Sequence, residues 1–230
     1  MLDKWAPDDN LLDRFVPSDH SKQAHAEQYV LQFLKTGRIR RVLDLGCGNG
    51  HSYDLFQKQI PGVEWVGLDV RSSPEMRSRT RTDTALCIYD GTHMPFPVDV
   101  FDLVYCRQVL QHVRRPWDLL REVHRVLKPG GLIAGSTSQL EPYQTYSMWN
   151  LTLYGFSCLV EEAGLRLLEV RPGIDSLTFI VRRGVGRRRF SRWLVRESPL
   201  NVLIGLVGWV FRKDHKWMNR IKLLFCSGGL

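Results

Sequence analysis

No pair of cysteines in this chain has metal-site or redox spacing; the five, at Cys47, Cys87, Cys106, Cys158 and Cys226, are scattered. That excludes zinc-ribbon and disulfide-scaffold readings and leaves ordinary thiols in a reducing compartment. No apolar run approaches the roughly 20 residues that a membrane-spanning helix needs. No cluster of His, Asp and Glu has ligand spacing, so no metal is expected. The opening MLDKWAPDDNLLDRF is acidic and lacks the apolar core of a secretory signal. Internal repeats are absent. A cytoplasmic protein is the expectation.

What is present begins with size: 230 residues, 43% of them hydrophobic, suit one large domain or one domain with an appendage. The formal charge of +8 is unevenly placed. From Arg182 to Leu230, twelve Lys and Arg stand against Glu197 and Asp214, a net of +10, so the preceding residues sum to −2. The basic character belongs to the tail.

Along the chain, apolar runs alternate with helical periods. The first forty residues read as helical. RVLDLG then reads as a strand, GHSYDLFQKQI as a helix, VEWVGLDV as a second strand and MRSRTRTDTA as a polar connection. ALCIYDG and FDLVYCRQ are strands three and four. PWDLLREVHRVLK is a helix with Pro116 in its first turn, and GLIAGSTS is strand five. LTLYGFSCLVEEAG is a helix and LRLLEVRPG a sixth strand. PLNVLIGLVGWVFRK reads as a helix too short to span a bilayer, suited to its interface or to the core, with the core favoured, and IKLLFC as a last strand. The alternation predicts an α/β fold, a mainly parallel seven-stranded sheet with helices on both faces. Residues 1–40 would form an N-terminal helical lid, 41–183 the cofactor-binding core, and 184–230 a basic, aromatic helical insertion with the last strand.

Ligands of open parallel sheets bind at the carboxyl ends of strands. The first such turn here is Gly46-Cys47-Gly48-Asn49-Gly50. A dinucleotide fingerprint would need a small residue at His51, and a Walker loop would need Gly-Lys-Ser/Thr, so a phosphate cradle is disfavoured. Asp44 just before the turn repels phosphate and suits a cationic ligand. Asp69, at the end of the second strand, is placed to bind both hydroxyls of a ribose. A ribose with a cation and no phosphate describes S-adenosylmethionine.

Four stretches in order, VLDLGCGNG, VGLDV, YDGTHMPFPVDVFDLVYCRQVLQHV and LLREVHRVLKPGGLI, resemble the class I S-adenosylmethionine-dependent methyltransferases of the type 11 branch, over Arg41 to Gly173. The resemblance implies a Rossmann-like fold with S-adenosyl-L-methionine as cofactor. It implies that Gly46, Cys47 and Gly48 bring backbone to the cofactor and that Asp44 supports its ammonium end. Asp69 would take the ribose diol, with Val70 against the adenine. Asp90 would accept from the adenine amino group, the amides of Gly91 and Thr92 would face the ring edge, and Arg107 and Gln108 would line the methionine end. Met94 stands where the family more often has Leu. Asp102 reads as structural.

Methyl transfer is an in-line displacement in which the enzyme positions the nucleophile, and a hydroxyl or carbon acceptor also needs a base. His112 is the first candidate; its competing role is to cap a helix or pack. Glu141, Tyr143, Tyr146 and Trp149 lie in the acceptor-facing segment, Tyr143 being the second catalytic candidate. His20 and His25 read as ordinary surface or packing residues. DRFVPSDHSKQAH, EPYQTYSMWNLTLYGF, RPGIDSLTFIVRR and ESPLN resemble methyltransferases of bacterial polysaccharide and glycosylated natural-product clusters. That implies O-methylation of a sugar-containing small molecule, a sugar carried on a nucleotide or a lipid diphosphate or a glycosylated natural product. The alternatives are a quinone or lipid-ring C-methyltransferase and a non-catalytic cofactor-binding partner subunit. The basic tail suits a diphosphate or the inner face of an anionic membrane, or is simply a solvated face. No nucleic acid is expected, because the body is slightly acidic.

Overall fold

The computed structural model describes residues 14–27, 30, 38–140, 146–185 and 197–228. They pack into two compact units that interleave along the chain. One takes the described residues of 26–137 and 159–165, the other those of 14–25, 138–158 and 166–228.

The first unit is built on five strands, β1 (Arg41–Leu45), β2 (Glu64–Val70), β3 (Leu86–Tyr89), β4 (Phe101–Arg107) and β5 (Leu127–Ser136). All pair in parallel, in the order β3-β2-β1-β4-β5. β1 and β4 are near-continuous apolar runs because both faces of a parallel sheet are covered; Val42, Leu43, Leu45, Leu103 and Val104 are all buried. The strand order reverses between β1 and β4, the topological switch point at which open sheets bind ligands. Helices α1 (His51–Gln59), α2 (Pro74–Arg77) and α3 (Pro116–Val126) connect the strands. Pro116 opens α3, where the lost N–H costs nothing, and Leu119, Leu120, Val123 and Val126 form its buried face. The core gathers Val30, Val42, Phe56, Trp65, Leu103 and Tyr105, with Phe56 edge-on to Tyr105 at 5.7 Å.

Asp102 ties this unit together. Its Oδ2 accepts from the backbone amides of Arg40 and Arg41 at 2.9 and 2.8 Å, and its Oδ1 from Lys128 Nζ at 2.7 Å. The structural reading of this acid stands.

The second unit contains α5 (Ser176–Val185), α6 (Pro199–Val210), α7 (His215–Phe225) and an antiparallel pair, β6 (Ile174–Asp175) with β7 (Cys226–Gly228). Helix α4 (Leu153–Glu162) runs before them. A buried polar network holds the unit. Lys222 Nζ donates to Glu197 Oε1 at 2.7 Å, and Glu197 Oε2 accepts from the amide of Gln23 at 2.9 Å. Asn219 Nδ2 donates to the carbonyls of Pro17 and His20 at 2.9 and 2.8 Å.

Three expectations need correction. The parallel sheet has five strands among the described residues, and the other two strands form the separate β6–β7 pair. The segment 165–173 does not join a sheet because its backbone bonds go elsewhere: Val170 N donates to Phe15 O at 2.9 Å, and Pro172 O accepts from Ala24 N at 2.9 Å. IKLLFC is helical through Phe225. Asp214 caps α7 by accepting from Trp217 N at 2.7 Å, and Met218, Asn219, Lys222 and Leu223 form one buried helical face. Finally, α6 is a helix as expected but not a core one: its buried residues are Asn201, Ile204 and Gly208.

Candidate functional site

The carboxyl ends of β1, β2 and β4 lie side by side, Leu45 paired with Leu68 and with Cys106. The turn after β1 leaves the sheet through Gly46, Gly48 and Gly50, all at positive φ. Gly46, at φ +72°, is the tightest position: an added Cβ would lie 2.3 Å from Val109 Cγ2 in the segment after β4. Only glycine fits both the dihedral and the space. Its amide donates to Leu68 O at 2.8 Å, docking the turn against β2. Gly50 then stands at the N-cap of α1, with His51 exposed on its first turn.

Two acids lie behind the turn. Asp44 is 4% and Asp69 6% exposed. Asp44 accepts from Ser52 Oγ, which in turn accepts from Trp65 Nε1 at 3.0 Å. Burial, reinforced by the charge of Asp69 and opposed by the Ser52 bond, pushes the Asp44 carboxyl up to about 7. Asp69 accepts from Gly48 N and from Val70 N, both at 2.7 Å. Burial raises its pKa against these amides. The Cys47 thiol beside the acids is pushed up to about 12, chiefly by burial. It is not a nucleophile at neutral pH.

Past β3, Asp90 Oδ1 accepts from the amides of Thr92 and His93 at 2.7 and 2.8 Å. These bonds outweigh desolvation in the balance and hold the exposed carboxyl below the usual carboxylate range. The Thr92 amide is therefore committed to Asp90. Gly91 sits beside Val70, whose Cγ1 would be 3.4 Å from an added Cβ. Beyond it the buried Met94 is clamped from α3: its amide donates to Glu122 Oε2 at 2.8 Å, its carbonyl accepts from Arg125 Nη2 at 3.0 Å, and Glu122 pairs with Arg125.

At the end of β4, Arg107 is exposed and pairs with Glu27 at 2.8 Å. Gln108 takes φ +57°, an uncommon dihedral for a side-chain-bearing residue. Its amide donates to Ser136 O at 2.7 Å, and its Oε1 accepts from Gln111 Nε2 at 2.8 Å. The fully buried Gln111 accepts in turn from Thr137 Oγ1 at 3.1 Å. His112 follows at the end of a 3₁₀ turn, Leu110–His112, half-buried, with its amide donating to Val109 O at 2.9 Å.

The fold thus brings Asp44, Gly46, Cys47, Gly48, Asp69 and Val70 to one sheet end, with Gly91 beside Val70 and Gln108 and His112 following β4. Tyr143 and Glu141 lie outside the described residues. Tyr146 and Trp149 are exposed in the second unit. His20 there meets Arg171 Nη1 at 3.3 Å through Nδ1.

Sequence reasoning missed a layer of supports. Ser52, Trp65 and Gln111 are among them. So is Arg79, whose Nη1 donates to Gly48 O at 2.6 Å and whose Nη2 donates to Thr84 Oγ1 at 2.5 Å. Arg81 donates to Gly50 O at 2.9 Å, pairs with Asp54, and lies over the Tyr53 ring at 5.2 Å. The polar connection MRSRTRTDTA folds back over the turn. Its alternating arginines were the available signal.

Residues 43–135 match the family described as "Methyltransferase domain". The chain is 27% identical over 145 residues to an uncharacterized methyltransferase of Schizosaccharomyces pombe, covering 57% of this chain and 51% of that one. It is 34% identical over 115 residues to the ubiquinone biosynthesis O-methyltransferase of Aliivibrio fischeri, covering 47% of this chain and 48% of that one. The same enzyme from Pseudomonas aeruginosa is 29% identical over 191 residues, 79% of this chain and 74% of that one. The chain spans about half the length of the first two relatives. Among solved structures, a SAM-dependent methyltransferase from Aquifex aeolicus superposes with TM-score 0.53 at 19% identity, covering 72% of this chain and 88% of that one. A chain solved with the Haloferax volcanii Trm112 methyltransferase activator gives TM-score 0.53 at 21% identity, covering 90% and 88%. At these identities the superpositions establish the fold alone, a Rossmann-like α/β fold.

Proposed function

We propose that the chain, whose residues 43–135 match a methyltransferase domain, transfers a methyl group from S-adenosylmethionine to a hydroxyl of a sugar-containing small molecule, a nucleotide- or lipid-linked sugar or a glycosylated natural product. One observation supports the donor most directly: a buried pair of acids, Asp44 and Asp69, stands behind a glycine turn that Asp69 itself holds through Gly48.

The residues present fit the cofactor. Asp44, a buried carboxyl beside the turn, would face its cationic amino-acid end. Asp69 has one backbone amide on each oxygen, and the remaining lone pairs suit two ribose hydroxyls. Val70 and Gly91 would flank the adenine, with Asp90 Oδ2 near its amino group. Arg107 and Gln108 would line the methionine end. When bound, S-adenosylmethionine supplies an electrophilic methyl on a sulfonium. The chain supplies alignment and a base: His112 would take the acceptor's hydroxyl proton as its oxygen forms the new bond to carbon. Tyr143 is retained as a second acceptor-side candidate on the sequence alone.

A second reading is methylation of a quinone or other lipid ring; the sequence suggests transfer to carbon, whereas the relatives named as ubiquinone biosynthesis O-methyltransferases favour transfer to oxygen. Calorimetry against S-adenosylmethionine, followed by turnover with a labelled methyl donor on sugar nucleotides, lipid-linked sugars and quinols, tests both. Methylation of sugars is the expected result. Label found only in quinols transfers the assignment to the second reading, and absence of cofactor binding overturns both.

A further inference from the structure

Helix α6 is turned inside out. Its inward face is Asn201, Ile204 and Gly208. Asn201 Nδ2 donates to Gln23 Oε1 at 3.1 Å and to Gly173 O at 3.0 Å. At Gly208 the approach of α7 is so close that a Cβ would lie 2.6 Å from Met218 Cγ. These two contacts fix the rotation of the helix. They leave Leu203, Leu206, Val210 and Trp209 exposed, and Phe211 just beyond; Trp209 is 76% and Phe211 68% exposed. Helix α5, which packs beside α6, adds the exposed Leu177 and Ile180. Scattered apolar residues on a surface need no explanation, but a continuous apolar face held outward by buried anchors marks a contact surface.

The charge around this face selects its partner. Residues 198–213 contain no Asp or Glu. The helix ends in a Schellman turn: Arg212 stands at φ +50°, its amide donates to Trp209 O at 3.2 Å, and Lys213 N donates to Gly208 O at 2.8 Å. Two exposed cations therefore sit at the rim of the apolar face, followed by the exposed Asp214 that caps α7. The described segment 197–228 carries five Lys and Arg against Glu197 and Asp214, a net charge of +3. A second copy of the chain would bring two such segments together and repel. A bilayer with anionic headgroups offers both apolar depth and opposite charge. The 12 residues of α6 span about 18 Å, short of the hydrocarbon thickness, so the helix would lie in the surface. No helix among the described residues is long and apolar enough to cross a membrane. Trp209 at the end of the apolar face has the amphipathic ring that favours the headgroup level.

We propose that the outward face of α6, rimmed by Arg212 and Lys213, seats the second unit in the headgroup–acyl boundary of an anionic lipid bilayer. This rests on the second unit alone and holds whichever acceptor the first unit serves.

Flotation of the full chain with phosphatidylcholine vesicles, with and without phosphatidylglycerol, tests it. The chain floats with the mixed vesicles, and added salt weakens the association. Leu206→Ser with Trp209→Ser lowers the partition coefficient on mixed vesicles about a hundredfold, from the lost apolar burial. Arg212→Gln with Lys213→Gln lowers it about tenfold or more there and leaves the residual association with neutral vesicles unchanged. Both variants retain the wild-type melting temperature and bind S-adenosylmethionine as before, since the substituted side chains are exposed and outside the first unit. Failure of the wild type to float with mixed vesicles overturns the proposal, as does equal flotation of the serine variant. A sedimenting dimer that the serine variant dissociates overturns it in favour of self-association.

Discussion

The backbone amide of Gly48 donates to Asp69 Oδ2 at 2.7 Å, so the acid that ends β2 closes the turn that follows β1. With Val70 N on its other oxygen at 2.7 Å, the carboxylate has a fixed orientation built into the fold. The acid proposed to take the ribose is thereby also a strut of the glycine turn.

Asp69→Ala should therefore damage two things together. It leaves the Gly48 amide buried without its acceptor, costing about 1–3 kcal/mol of stability. Calorimetry should show at least about a tenfold loss of S-adenosylmethionine affinity, about 1.4 kcal/mol. Asp69→Asn keeps one acceptor oxygen, so melting should recover further than affinity. An alanine variant with wild-type affinity would remove Asp69 from the cofactor site.

Asp44 sets a pH dependence. Its carboxyl is raised from 3.8 to about 7 by burial, so the folded chain holds this proton more tightly than the unfolded one. Its contribution to stability is accordingly full below about 3.8 and is lost as pH rises through about 7. A cationic ligand favours the ionised carboxylate, so binding releases a proton below about 7. The dissociation constant should rise as pH falls below that value, approaching about tenfold per pH unit. Asp44→Asn should flatten the profile, and a flat wild-type profile would contradict the assignment.

At Gly46 the obstacle to a side chain is another side chain. Gly46→Ala meets Val109 Cγ2 at 2.3 Å and strains a φ of +72°. The strain alone is worth about 1–2 kcal/mol. Thermal melting and cofactor binding should both fall, and adding Val109→Ala should restore part of each by removing the clash. No restoration would mean the dihedral alone decides the position.

His112→Ala should lower turnover by about a hundredfold or more, as expected for loss of a general base, with the calorimetric affinity for S-adenosylmethionine unchanged. Turnover equal to wild type would return His112 to a packing role.

Asp102 should affect stability only. Burial disfavours its charged form, but Lys128 and the amides of Arg40 and Arg41 prevail and hold its pKa below the ordinary 3.8. Its contribution is present above about 3.8 and is lost as pH falls through the lower folded value. Asp102→Asn should cost about 1–2 kcal/mol at neutral pH, read by denaturant unfolding, with cofactor affinity intact. A loss of affinity without loss of stability would place it in the site instead.

The strands β1 to β5 and the glycine turn were legible because each is a local pattern: apolar runs bounded by Gly, Pro and acids fold the same way wherever the sheet covers both faces. Asp44 and Asp69 were legible for the same reason, since a residue at the end of a parallel strand points to the ligand edge whatever surrounds it. The supports were not. The alternating arginines of MRSRTRTDTA mark a stretch in need of acceptors, but not that Arg79 finds one in the Gly48 carbonyl, 31 residues earlier. Nothing in VLQHV says that Gln111 is the buried link between Gln108 and Thr137.

The tail shows the division most clearly. Sequence alone determined that PLNVLIGLVGWVF is apolar, helical and followed by cations. A helix apolar on most of its circumference carries no period to say which side faces in. That was decided by Asn201 reaching Gln23, 178 residues earlier in the chain, and by Gly208 admitting Met218. A polar anchor and a missing side chain faced inward, so the leucines and Trp209 were left facing out.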